Sequence, residues 1–116
     1  MALILRIDPA PGFAPKQTKA DHDRLISGDP SFKTWAQDVS RGDVRTGVWE
    51  ATPGETRSIK GESFEFCMIL SGRVEIEEAG GETHRFGAGD AFVMKPGFVG
   101  VWRTLETARK IYVIVG

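Results

Sequence analysis

Cysteine and histidine are nearly missing from this 116-residue chain, which has one cysteine, Cys67, and two histidines, His22 and His84. A lone thiol forms no internal disulfide, and the spacing holds no paired-cysteine zinc cluster, so the redox signal points to the cytoplasm. Long apolar runs are missing as well. The N-terminal Ala2-Leu3-Ile4-Leu5 meets Arg6 and Asp8 at once, which is too short for a signal peptide or a membrane span, and it reads as a strand. No charge of one sign dominates. Fifteen basic and 16 acidic side chains leave a net charge of −1, so no long-range field draws in nucleic acid or an anionic membrane, and neither is an expected partner.

What remains is 41% hydrophobic residues, enough for one continuous core and, at this length, one domain without internal repeat. Residues 8–31 carry four of the six prolines in a polar mixture without period. Together with the N-terminal strand, residues 1–43 read as a proline-rich arm of the same domain, with only short structure expected. From Val44 to the C-terminus the texture changes to short apolar or alternating runs: VRTGVWEA, SFEFCMIL, RVEIEE, THRF, AFVM, VGVWRT and RKIYVIV. Glycine-bearing reversals at Ser71-Gly72, Gly80-Gly81, Gly87 to Asp90 and Pro96-Gly97 punctuate them. That rhythm is all-β, with antiparallel pairing closed into a barrel or double-sheet roll over 44–116.

Period-two alternation sorts the side chains. Phe64, Phe66, Met68 and Leu70 share one face, and Glu65, Cys67 and Ile69 the other; both look buried. Glu65 stands out, because an isolated carboxylate there would cost several kcal/mol unless paired, hydrogen-bonded or protonated. Farther on, Gly100, Trp102 and Thr104 share a face, and Lys110, Tyr112 and Ile114 alternate with Ile111, Val113 and Val115. A polar-tipped aromatic such as Tyr112 suits a small-ligand site.

The segment from Gly54 to Trp102 resembles the cupin superfamily, whose two motifs are usually written G-x5-H-x-H-x3,4-E-x6-G and G-x5-P-x-G-x2-H-x3-N. Glu65 with Gly72 matches the end of the first. Gly89-Asp90, an apolar run, and Pro96-Gly97 resemble the second. The pieces GVWEATPG (47–54), GFVGVW (97–102) and RKIYVI (109–114) are similar to small cupins related to ureidoglycine aminohydrolase. The resemblance implies an RmlC-like cupin: a double-stranded β-helix, or jelly-roll barrel. Its metal-binding members use histidines where this chain has Ser58, Lys60 and Gly100, so one ligand of the usual set, Glu65, is left. An ammonium has no lone pair to offer a metal, so no metal and no cofactor are expected.

Candidate site residues follow. Glu65 and Lys60 form either an acid/base or substrate-orienting pair or an internal salt bridge. Trp49, Trp102 and Tyr112 either stack on a small planar ligand or fill the core, and Gly100 either leaves room for that ligand or relieves crowding around Trp102. Cys67 is either a nucleophile or an inert buried thiol. Ser58, with Arg57, either meets a carboxylate at the barrel mouth or lines an exposed rim. His84 and the Asp21-His22-Asp23 run read as solvated, and Asp90 as a turn cap. Three functions stay open: a metal-free enzyme, with C–N hydrolysis or isomerase-type chemistry implied by the resemblance alone, a small-molecule binding or sensing module, and an assembly-only barrel. A homodimer through Phe64, Phe66 and Met68 or through the N-terminal strand is expected.

Overall fold

Two of the sequence runs join into one strand wherever the chain bends without reversing. The computed structural model, which describes residues 3–116, contains β1 (Lys16–Lys19), β2 (Leu25–Gly28), β3 (Ser31–Asp38), β4 (Val44–Ala51), β5 (Gly54–Ile59), β6 (Phe64–Glu78), β7 (Thr83–Gly87), β8 (Ala91–Met94) and β9 (Val99–Val115). No helix occurs among the described residues. The runs SFEFCMIL and RVEIEE are the two halves of β6, and VGVWRT and RKIYVIV the two halves of β9. Ser71-Gly72 is therefore a bulged bend and not a hairpin, as the register shifts between Ile69 and Val74 show. Gly72 has φ +82°, and a Cβ there would lie 2.2 Å from the Thr107 carbonyl oxygen of β9, so only glycine lets the two bends cross.

Through these bends β6 and β9 serve two layers. In the first, the N-terminal half of β6 pairs with β8 (Cys67 opposite Phe92) and with the C-terminal half of β9 (Cys67 opposite Tyr112). That layer continues through β4 (Gly47 opposite Tyr112), β3 (Trp35 opposite Val48) and β1. In the second, the C-terminal half of β6 pairs with β7 and with the N-terminal half of β9 (Ile76 opposite Trp102), which continues through β5 and β2. All pairings are antiparallel, giving the double-sheet jelly roll of a cupin barrel. Between the layers Cys67, Ile69, Val74, Ile76, Met94, Trp102 and Ala108 form the core, with Phe86, Phe92 and Phe98 packed against it.

Two expectations change. The N-terminal arm holds three strands, since β1 and β3 extend the first layer and β2 borders the second. The alternation of β3 (SFKTWAQD) is masked by its polar residues, and Trp35 alone among them is buried. Conversely, Leu3, Ile4 and Leu5 lie outside every strand and are 96%, 88% and 55% exposed, while Ala2 falls outside the described residues. The chain that follows is tied to the outside of the first layer: Trp35 Nε1 donates to Phe13 O (3.0 Å), Arg109 Nη1 to Pro9 O (2.8 Å) and Gln37 Nε2 to Asp8 O (2.8 Å).

The two outer faces differ in character. On the second layer Arg103 ties together Glu55, Glu75 and Glu77, and Arg85 adds to Glu75. On the first, the Phe64, Phe66, Met68 and Leu70 side of β6 turns outward and is half-buried or, at Met68, exposed. The Glu65, Cys67 and Ile69 side alone is enclosed.

Candidate functional site

Three inward-facing positions on each of two paired strands build the site. Arg45, Gly47 and Trp49 of β4 stand opposite Ile114, Tyr112 and Lys110 of β9, and Glu65 of β6 stands opposite Ile114 on the other side. Gly47 is required by its neighbours. A Cβ at this position would lie 2.3 Å from the Trp35 carbonyl oxygen and 2.9 Å from the Tyr112 hydroxyl, so the missing side chain makes room for the phenol.

Glu65, 3% exposed, is the centre. Its Oε1 accepts from Lys60 Nζ at 2.6 Å; its Oε2 accepts from Lys110 Nζ at 2.7 Å and from the Cys67 thiol at 3.2 Å. The Lys110 ammonium in turn lies 4.3 Å from the Trp49 ring and 4.4 Å from the Trp102 ring, so both indole faces stabilise it. The two indoles meet edge to face at 5.4 Å, and Trp102 Nε1 donates to Thr104 Oγ1 at 3.1 Å. Every fully enclosed side-chain polar atom among the described residues has a partner.

The electrostatics follow from this packing. Burial alone would raise the Glu65 pKa, but the Lys110 and Lys60 ammoniums hold it down to about 2. Burial alone would lower that of Lys110; the Cys67 and Glu65 groups facing it more than offset this, and the lysine stays charged. Burial, with the Glu65 carboxylate beside it, pushes the Cys67 thiol up to about 12, so it is a hydrogen-bond donor and no nucleophile at neutral pH. A carboxylate held near 2 is also a weak proton acceptor. The cluster therefore carries charge at neutral pH without being poised to move a proton.

Beside it opens a cavity of about 260 Å³ lined by Thr34, Arg45, Trp49, Glu65, Lys110, Tyr112 and Ile114. Of the sequence-predicted residues, Glu65, Trp49 and Tyr112 line this cavity. Lys60 reaches Glu65 from the loop after β5, and Cys67 and Trp102 sit behind the cluster in the core. Ser58 and Gly100 face each other across β5 and β9 and line neither this cavity nor the larger one. A Cβ at Gly100 would lie 2.2 Å from the Glu77 carbonyl oxygen and 2.7 Å from the Phe98 ring, so this glycine relieves crowding from those two groups and not from Trp102. Arg57 and both histidines are exposed, and Asp90 caps its turn by accepting from Gly87 N at 2.8 Å.

Sequence reasoning missed Lys110, Arg45 and Thr34. The signal for Lys110 was present, because the alternation that turned Tyr112 inward turned Lys110 inward too, and a lysine in that register raises the same question as Glu65. The larger cavity, about 580 Å³, lies between Phe86, Phe92, Phe98 and the exposed Lys95-Pro96-Gly97 turn. It has more room, but its charged liners, Glu78 and Lys95, are exposed. The smaller one holds the buried charge.

A metal fits this donor set poorly. The carboxylate is already saturated by two ammoniums and a thiol, and no group of three or more His, Cys, Asp or Glu stands together among the described residues.

Comparison with known proteins places the architecture. The family model for the EutQ-like cupin domain matches residues 40–112. A protein of unknown function of the DUF861 family from Pseudomonas syringae superposes with a TM-score of 0.82 at 24% identity, covering 94% of this chain but 46% of that one. The chain thus spans about half the length of that relative. A putative ethanolamine utilization protein Q from Salmonella typhimurium gives 0.66 at 17% identity, over 90% of this chain and 98% of that one. Ectoine synthase from P. lautus gives 0.65 at 18%, over 80% and 68%. At these identities the likeness carries the fold and nothing finer. No curated protein sequence matches the chain significantly.

Proposed function

The chain belongs to the EutQ-like cupin domain family, and from that premise we propose that it is a metal-independent cupin that binds a small molecule, its Lys60–Glu65–Lys110 cluster supplying fixed charge where metal-binding cupins hold an ion. One observation carries the reading. Both oxygens of Glu65 are engaged by ammonium groups, at 2.6 and 2.7 Å, which gives the carboxylate two cations without any metal. The enzymatic alternative, C–N hydrolysis as in ureidoglycine aminohydrolase-like cupins, would ask Glu65 or Lys60 to exchange protons, and a carboxylate held at about 2 suits that role poorly. Binding is the better match to a small cavity whose buried charges, Glu65 and Lys110, are already paired with each other.

The test is metal content by plasma mass spectrometry on untagged protein, before and after soaking with manganese, iron, nickel and zinc. Less than about a tenth of an equivalent per chain after every soak supports the reading; close to one equivalent of any metal overturns it.

We further propose that a second copy covers the outer face of the first layer. Met68, Val93 and Val115 are 37%, 42% and 36% exposed there, beside Phe64 and Phe66, whereas on the other layer's outer face the exposed Ile59 and Val99 share the surface with the Arg103 ion pairs. The exposed Leu3, Ile4 and Leu5 offer further apolar surface from the same chain. Light scattering on the full chain should give a dimer that Met68→Lys dissociates; a monomeric parent ends the idea.

A further inference from the structure

Tyr112 is 6% exposed, yet its hydroxyl meets no hydrogen-bond partner among the described residues. Since every fully enclosed side-chain polar atom there is paired, this hydroxyl must open onto the 260 Å³ cavity it lines. Arg45 stands on the same wall, two residues from Gly47, whose missing Cβ admits the phenol. Among the described residues its guanidinium makes one bond, Nη2 to Gly116 O at 3.1 Å, and otherwise keeps its donors at the cavity mouth. Thr34 adds a hydroxyl, while Trp49 and Ile114 supply apolar surface.

Charge decides what such a cavity prefers. Arg45, Lys60 and Lys110 bring three positive charges against the negative charge of Glu65, an excess of at least one at the site even when the Gly116 oxygen that Arg45 meets carries a carboxylate charge. Both Glu65 oxygens are engaged by ammonium groups, so the acceptors left for a cationic ligand are the neutral Tyr112 and Thr34 hydroxyls, with no free negative charge behind them. Its unpaired groups are the arginine fork, which can only donate, and the Tyr112 and Thr34 hydroxyls, which donate or accept. A neutral ligand would leave the positive excess unanswered, whereas a carboxylate answers it and matches the planar guanidinium in shape.

Resting on the small-molecule reading above, we propose that the occupant of this cavity is a small organic acid, its carboxylate held by the Arg45 guanidinium and the Tyr112 hydroxyl and its remainder lying against Trp49 and Ile114. Lys110 acts at one remove. It is held by Glu65 and the two indoles, and it contributes field without contact.

The experiment titrates the full chain, in chloride-free buffer, with acetate, pyruvate and benzoate, with the matched neutral probes acetamide and benzamide, with benzylamine, and with inorganic phosphate. Indole N–H shifts in two-dimensional NMR report binding, with each probe taken to about 10 mM, enough to load even a millimolar complex. At least one acid should shift the indole resonances saturably, with its amide about tenfold weaker or worse; Arg45→Gln should cost about tenfold in affinity and Tyr112→Phe several-fold. Arg45 is exposed, so its substitution leaves the fold in place. Equal binding of acid and amide, or unchanged affinity in Arg45→Gln, overturns the organic-acid assignment and leaves the pocket reading standing. Binding of benzylamine or phosphate alone overturns it too. Silence from probes of every charge overturns both.

Discussion

Replacing Glu65 by glutamine keeps the volume and one acceptor oxygen but removes the negative charge that, alone among the described residues, contacts Lys60 and Lys110. Lys60, with a side chain 16% exposed, can turn toward water; Lys110, at 7% and wedged between Trp49 and Trp102, cannot. Breaking a buried pair by removing one partner costs about 3–5 kcal/mol, and the two indole faces retain part of the stabilisation of Lys110, which favours the lower end. With an unfolding entropy of about 2.1 cal/mol/K per residue over 116 residues, 3 kcal/mol corresponds to a melting point lowered by about 12 °C. The deficit should depend on pH in a definite sense. Without Glu65 the folded pKa of Lys110 falls below its unfolded value, so the unfolded chain binds the extra proton and stability rises with pH across that interval, by up to about 1.4 kcal/mol per pH unit. Urea denaturation of parent and variant from pH 6 to 10 measures this, and Lys110→Met in the Glu65→Gln background should recover most of the loss. A variant within about 1 kcal/mol of the parent at pH 7, or a deficit flat with pH, would refute the account of the cluster.

Other consequences can be checked in the same way. In the parent, the depressed Glu65 pKa means stability that is fully present above the unfolded value of 4.5 and lost as pH falls toward about 2; the contribution is about 3 kcal/mol, seen as a falling urea midpoint across that window. Cys67, fully buried with its thiol pushed up to about 12, should resist a disulfide reagent in the native protein at pH 8 and react at once in denaturant. Gly100→Ala should destabilise by about 2 kcal/mol or more, because its Cβ would strike the Glu77 carbonyl, and Gly100→His should fail to create a metal site for the same reason.

The sequence made the barrel legible because glycine spacing and period-two alternation are local signals, and local signals report strands and faces. It made Glu65 legible by the same means, as a charge in an enclosed register. Other features depend on contacts between distant residues. That Ser71-Gly72 bends β6 without reversing it is settled by the close passage of Thr107, far along the chain. That Lys110 joins Glu65 depends on β6 and β9 pairing with Ile69 opposite Lys110. β3 was obscured by its polar composition, and its role comes from pairing with β4 and from the cover over Trp35. In the opposite direction, Leu3 to Leu5 read as a strand because apolar residues favour one, yet a strand needs a neighbour to pair with, and within this chain that run has none.

Because β6 and β9 each run through both layers, neither layer can open while the other stays closed. Amide hydrogens of Cys67 in the first layer and Ile76 in the second belong to the same strand, paired on both sides of the bulged bend with the same partner. Their slowest exchange should therefore report a single event, the opening of the whole molecule. A ligand seated beside Glu65 would then slow exchange at the far end of the barrel by the same factor as next to itself, without any change of shape travelling between the two.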